Sequence, residues 1–255
     1  MTAGDGAVTT DGFLDGRLKL KQPRAGHRAG HDAILLAAAT PARPGDRVVE
    51  FGAGVGAAGL ALALRVGGLD LTLVEIDAGL ARLAGDNAAA NGLVARVVVA
   101  DVAAEAEELA RLGLGPDSAD GMLMNPPFNP AARHRASRDP ARRLAHEAPA
   151  DTLDLWTHAA RRMLRPGGRL TLIWRADGLA EVFAALARGF GSLTMLPVHP
   201  RAGEPAIRVL VSAVKGGRAP LALHPGLVLA DADGRPAAHA DAVLRGRQVL
   251  ALAEI

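Results

Sequence analysis

The stretch Arg47-Val-Val-Glu-Phe-Gly-Ala-Gly-Val-Gly56 starts as an apolar, β-branched run and dissolves into alternating glycines. The run reads as a buried strand. Gly52, Gly54 and Gly56 then form a loop whose backbone can approach a ligand closely. An Ala/Leu segment over 57–66 follows with a helical pattern, so the loop opens onto a helix N-terminus with free N–H groups.

The same alternation continues outward. Leu71–Asp77 reads as a second strand, followed by a helix through Asn91 with Gly92 as its stop. Arg96–Asp101 is a third strand, Gly121–Asn125 a fourth, and Arg169–Trp174 a fifth after the turn Arg165-Pro-Gly-Gly168. Beyond it we expect a helix over about 179–189 and strands at Ser192–Val198 and Ala206–Val214. Asp151 is read as the N-cap of a helix ending near Leu164, and Asp32 as a cap for a helix through Ala39. Strands alternating with helices predict an α/β fold: a doubly wound, mostly parallel sheet covered on both faces. Ligands of such sheets sit beyond the carboxyl ends of the strands, near the switch in strand order. Glu50, Glu75, Asp101 and Asn125 all fall at predicted strand ends and should converge on one crevice.

Composition narrows the classes. With 255 residues, 49% hydrophobic and 22% charged, the chain is long enough for a full core and reads as an ordinary soluble protein. It has no cysteine, which excludes a disulfide framework and thiolate zinc and suits a cytoplasmic, reducing setting. We expect no signal peptide and no membrane span. The eight histidines show no ligand-like spacing, so no metal is expected.

The glycine loop alone is ambiguous, because Gly54-Val-Gly-Ala-Ala-Gly59 also satisfies the dinucleotide fingerprint and Glu75 lies near the expected ribose position. Glu50 decides between the readings. A carboxylate directly before the glycines repels a pyrophosphate but welcomes an ammonium group. S-adenosylmethionine carries such an amino group and has no phosphates. Glu75 then suits its ribose diol, and Asp101 its adenine amine.

Met122-Leu-Met-Asn-Pro-Pro-Phe128 ends the fourth strand in a rigid turn, because proline cannot donate to a ladder. An exocyclic amine on a base, or a carboxamide nitrogen, has its lone pair delocalised and is a poor nucleophile. Two acceptor oxygens aimed at its N–H bonds favour pyramidal geometry and stabilise the charge developing on nitrogen. Asn125 supplies a side-chain carbonyl and Pro126 a backbone carbonyl. Pro127 stiffens the turn, and Phe128 offers a face for stacking a planar group.

Glu50-x-Gly-x-Gly-x-Gly56 with Asn125-Pro-Pro-Phe128 resembles the class I S-adenosylmethionine-dependent methyltransferases that methylate amino groups. Gly30-His-Asp-Ala-Ile-Leu-Leu36 and Arg208-Val-Leu-Val-Ser-Ala-Val-Lys215 extend the similarity towards bacterial tRNA(Val) adenine N6-methyltransferases. The resemblance implies a Rossmann-like, seven-stranded sheet with one antiparallel strand near its edge. It implies that Asp32 approaches the cofactor pocket. The expected cofactor set is thus Asp32, Glu50, Gly52, Ala53, Gly54, Gly56, Glu75, Ile76, Asp101, Val102 and Asn125. We expect an N-terminal segment over 1–40 covering the pocket, a methyltransferase core over 41–218, and a C-terminal appendage over 219–255.

The net charge is only +2, but Arg133–Arg143 carries five arginines (133, 135, 138, 142 and 143) against one aspartate. Arg161, Arg162 and Arg165 form a second cluster. Two readings stand: a solvated loop in an arginine-rich protein, or a surface for the phosphates of tRNA. The expected reaction is methyl transfer to adenine N6 of tRNA. Guanine N2 of rRNA, a protein glutamine amide, a small-molecule acceptor and a binding module without turnover are the alternatives.

Overall fold

The computed structural model describes residues 8–26, 28–127 and 152–254. Phe128, the five arginines at 133, 135, 138, 142 and 143, and Asp151 lie outside the described residues.

The strands are β1 (Val8–Phe13), β2 (Leu18–Pro23), β3 (Arg47–Phe51), β4 (Asp70–Glu75), β5 (Arg96–Val99), β6 (Ala119–Met124), β7 (Leu164–Arg175), β8 (Phe190–Arg201), β9 (Arg208–Lys215), β10 (Ala222–Leu223) and β11 (Leu227–Ala230). The helices are α1 (His31–Ala39), α2 (Ala57–Val66), α3 (Ala78–Ala90), α4 (Ala106–Arg111), α5 (Thr152–Met163), α6 (Leu179–Leu186) and α7 (Ala238–Leu244).

The central sheet runs β10-β8-β9-β7-β6-β3-β4-β5, with β11 also paired to β8. The strands β5, β4, β3, β6 and β7 are mutually parallel, and β9 lies antiparallel between β7 and β8. This is the expected seven-stranded core with one reversed strand. The two short strands β10 and β11 extend it: both pair parallel with β8, so part of the 219–255 segment belongs to the sheet rather than resting on it.

The sheet is buried on both faces, which is why its strands read as continuous apolar runs. One core packs Val48, Leu73, Leu123, Ile173 and Leu210 under α1, α2, α3 and α7. The other packs Val49, Val74, Met124, Leu172 and Val211 under α4, α5 and α6. Asp77 caps α3, accepting from the Gly79 and Leu80 nitrogens, and Gly92 past its end takes φ of 65°. Asp32 does not cap α1. Gly30 holds the cap position with no side-chain bond, and Asp32 sits inside the first turn, where its charge favours the positive helix end. Among the described residues, no helix is long and apolar enough to cross a membrane.

The hairpin β1–β2 stands outside this sheet and docks on α3 through two asparagines. Asn91 accepts from the Lys19 nitrogen and donates to its carbonyl, and Asn87 does the same for Lys21. Two amide side chains one helical turn apart thus replace the missing neighbour strand of β2. The hairpin turn also holds the C-terminal segment: Asp15 pairs with Arg245 and Arg247, and Arg17 donates to the Arg245 and Gly246 carbonyls.

Candidate active site

The order of strands reverses at β3. The chain goes from β3 to β4 and β5 on one side, then returns to place β6 and β7 on the other. Phe51 pairs with Val74 and with Met124, and Glu75 pairs with Val99. The residues leaving the sheet at this edge are therefore neighbours: Gly52, Ile76, Ala100 and Asn125. The switch lies between Gly52 and Asn125, where a doubly wound sheet opens its crevice.

The glycine loop is built as its sequence demands. Gly52, Gly54 and Gly56 have φ of 60°, 55° and 84°, a region that side chains with a Cβ occupy at a cost. Their surroundings differ. A Cβ on Gly52 would lie 2.4 Å from Cη2 of Trp156, whereas a Cβ on Gly54 would meet nothing within 4 Å. Gly54 thus faces open space at the mouth of the crevice. The buried Ala53 anchors the loop to β4 by donating to the Val74 carbonyl.

Both glutamates are buried and both hold this loop. Glu50 Oε2 accepts from the Gly59 nitrogen at 2.7 Å, in the first turn of α2. Glu75 Oε2 accepts from the Gly54 nitrogen at 2.7 Å, and its Oε1 from the Asp77 nitrogen at 3.0 Å. Burial pushes the Glu50 carboxyl up to about 8; the Gly59 hydrogen bond opposes this and the neighbouring Glu75 adds to it. Each carboxylate oxygen keeps acceptor capacity beyond its one backbone bond. The crevice therefore has acceptors for an ammonium or a diol.

At the next two strand ends, Ile76 is 64% exposed. Asp101 is exposed, with Oδ1 accepting from the Ala103 nitrogen. Val102 is buried beside it. An exposed aliphatic face next to an acid suits a flat heterocycle with an exocyclic amine. Glu50, Glu75, the loop glycines, Ile76 and Asp101 together fit S-adenosylmethionine. Asp32 is less direct: its Oδ2 accepts from Arg208 Nε at 2.9 Å, so it is tied to β9. Among the described residues, no group of histidine and carboxylate side chains is arranged to hold a metal ion.

Across the switch, Asn125 is half-buried, Pro126 is buried and Pro127 is exposed. The Asn125 amide has no hydrogen-bond partner among the described residues. Two residues escaped the sequence reading. Trp156, on α5, lies against Gly52 and meets Phe51 edge-on, with ring centroids 6.1 Å apart. Asn87, fully buried on α3, donates to the Val55 carbonyl inside the glycine loop. Their signal in the sequence is slight: one of only two tryptophans, and an asparagine in an alanine-rich helix.

Comparison with known proteins agrees with this geometry. Residues 29–199 match the Methyltransferase small domain family. The chain is 33% identical over 221 residues to the tRNA1(Val) (adenine(37)-N6)-methyltransferase of Dickeya chrysanthemi, covering 83% of this chain and 82% of that protein. It is 32% identical to the enzyme of the same name from Aeromonas hydrophila, covering 80% and 84%. Among solved structures, Atu636 of Agrobacterium tumefaciens, described as a predicted O-methyltransferase, superposes with a TM-score of 0.71 at 30% identity, covering 86% of this chain and 98% of that one. The family match spans the glycine loop, both glutamates and the Asn125 turn, and the chain belongs to the Methyltransferase small domain family as an S-adenosylmethionine-dependent methyltransferase.

Proposed function

We propose that this enzyme methylates N6 of an adenine in tRNA. One observation carries the reading: the Asn125-Pro126-Pro127 turn leaves β6 beside Gly52, across the switch point, with its side-chain amide uncommitted among the described residues. The relatives named as tRNA1(Val) adenine-N6-methyltransferases support the acceptor.

S-adenosylmethionine, when bound, supplies an electrophilic methyl group on a sulfonium. The chain has to hold a weakly nucleophilic amine in line with it. In this reading the Asn125 Oδ1 and the Pro126 carbonyl accept the two N–H bonds of the target amine. That draws the nitrogen lone pair out of conjugation and stabilises the positive charge arising on it. Phe128 stacks on the base, and the arginines at 133, 135, 138, 142 and 143 hold phosphates. Glu50 takes the ammonium of the cofactor, Glu75 its ribose and Asp101 its adenine amine. In-line positioning supplies much of the remaining acceleration.

A glutamine amide offers the same planar N–H geometry. A release factor glutamine methyltransferase of Chlorobaculum tepidum is 29% identical over 191 residues, which favours this as the second reading. The test is turnover with labelled cofactor on a total tRNA pool and on a protein extract, followed by nuclease or protease digestion. Label released as N6-methyladenosine from tRNA is the expected result; label only in protease-sensitive material rejects it. Asn125→Ala should lose about 30- to 1,000-fold in kcat, as one oriented acceptor contributes on the order of 2–4 kcal/mol. A loss within twofold would remove Asn125 from the mechanism.

A further inference from the structure

The amino edge of the sheet, opposite the crevice, gathers positive charge from three separate parts of the chain. Arg161 lies against Gly189, where an added Cβ would fall 2.6 Å from its Cδ. Gly189 follows the exposed Arg188, and its carbonyl accepts from the Gly216 nitrogen. Gly217 packs on Gly191, which brings the exposed Arg218 to the same corner. Arg162 adjoins Arg161 on α5.

Among the described residues, carboxylates do not balance them. Asp117 is taken by Lys215, and Asp120 by Arg47 and Arg165. Arg161 touches the His158 ring. None of Arg161, Arg162, Arg188 and Arg218 has a carboxylate partner among the described residues. Four guanidiniums without a carboxylate partner among the described residues gain most from a partner with regularly spaced negative charge. The corner is separated from the crevice by β7, whose span from Arg169 to Arg175 is about 20 Å. It cannot touch the reacting nucleotide.

We propose that this corner is a second RNA-binding surface, holding the phosphate backbone of the substrate at a distance from the target base. The proposal rests on the tRNA reading above and adds to it where the rest of the molecule docks. Phosphates, rather than bases, are the matching ligand: the cluster is guanidinium-rich, and stacking surfaces are scarce in a chain with 3% aromatic residues.

The test is the triple variant Arg162→Gln/Arg188→Gln/Arg218→Gln, which spares the packed stem of Arg161. On full-length tRNA, KM should rise roughly 10- to 30-fold and the salt slope should shrink by about 2–3, with kcat and cofactor affinity unchanged. On a short hairpin carrying the target adenine, too small to reach the far edge, variant and wild type should be equal. Identical salt slopes on full-length tRNA would overturn the surface while leaving the methyltransferase reading intact. A wild-type enzyme inactive on every RNA would remove both. Binding to anionic lipid vesicles that the variant loses, with tRNA kinetics unchanged, would reassign the corner to a membrane. If the triple variant does not fold, Arg188→Gln and Arg218→Gln singly, both at exposed positions, should each raise KM about threefold.

Discussion

The Glu50 carboxyl and the Gly59 amide are joined by a 2.7 Å hydrogen bond beneath the glycine loop. With its carboxyl pushed up to about 8 by burial, Glu50 keeps its proton across the range where an unfolded chain, titrating near 4.3, releases it. Between those values the unfolded state binds fewer protons, so the cofactor-free protein should lose stability as pH rises from about 4.5 to 8. Glu50→Gln keeps an acceptor for Gly59 but cannot ionise. Its melting temperature should be flatter across this window and, at pH 8, higher than wild type. Parallel curves for the two proteins would show that Glu50 does not titrate there.

The same group should couple binding to protons. An ammonium entering beside Glu50 favours the ionised carboxylate, so cofactor binding at pH 7 should release protons. Calorimetry in buffers of different ionisation enthalpy reads this directly, and Glu50→Gln should abolish the release while weakening binding by tenfold or more. Equal heats in all buffers would detach Glu50 from the cofactor.

Gly52 and Gly54 share a left-handed backbone but not an environment, so alanine should separate their roles. At Gly52 the new methyl strikes the Trp156 indole, adding overlap to roughly 1–2 kcal/mol of backbone strain. Gly52→Ala should lower both the melting temperature and cofactor affinity, and Trp156→Leu in the same chain should recover part of the stability. At Gly54 only the backbone cost applies, because the methyl points into open space. Gly54→Ala should therefore lose cofactor affinity out of proportion to its small change in melting temperature. Similar affinity losses per degree at both sites would place the cofactor elsewhere.

What the sequence conveyed follows the range of the interactions involved. The β3 loop, the α3 stop and the Asn125 turn are fixed by residues a few positions apart, so glycine, proline and apolar periodicity reveal them. β1 was missed because its residues alternate only between exposed and half-buried, leaving no apolar face to read. α4 is a single short stretch of Ala and Glu with one buried leucine. Asp32, read as a cap, is held by Arg208 from a strand 176 positions away. Glu50 was legible as a carboxylate before glycines, but its bond to Gly59 required the fold. Trp156 and Asn87 depend on packing between elements that local pattern does not encode.

Asp120 gathers four hydrogen bonds at the amino edge: from the Arg47 nitrogen, Nε and Nη2, and from Arg165 Nε at 2.6 Å. The Arg47 guanidinium above all, helped by Arg165, holds its carboxyl far below the usual carboxylate range. A depressed folded-state value stabilises the protein above pH 4 and is lost as the pH falls below it. Arg47 and Arg165 are 42% and 50% exposed, so solvent screens part of the attraction. Asp120→Asn should cost about 1–2 kcal/mol at pH 7, chiefly in charge-assisted hydrogen bonds. The gap from wild type should close on acidification towards pH 2, which denaturant titrations at several pH values would follow. A constant gap would mean that the carboxylate charge contributes nothing.

Asn87 satisfies three backbone groups at once: the Lys21 nitrogen, the Lys21 carbonyl and the Val55 carbonyl, at 2.8, 3.0 and 3.0 Å. It joins the N-terminal hairpin to the glycine loop, whereas Asn91 one turn later holds only the hairpin and its own helix end. Alanine at 87 strands buried polar groups and should cost about 2–4 kcal/mol. Alanine at the more exposed 91 should cost about 1 kcal/mol, since water replaces the lost partners. The pair isolates the coupling. Both variants should loosen β2, seen as faster amide exchange at Lys19 and Lys21, but Asn87→Ala alone should weaken cofactor binding, through the freed Val55 carbonyl. Equal cofactor affinity in the two variants, measured well below their melting temperatures, would show that the hairpin and the loop are held independently.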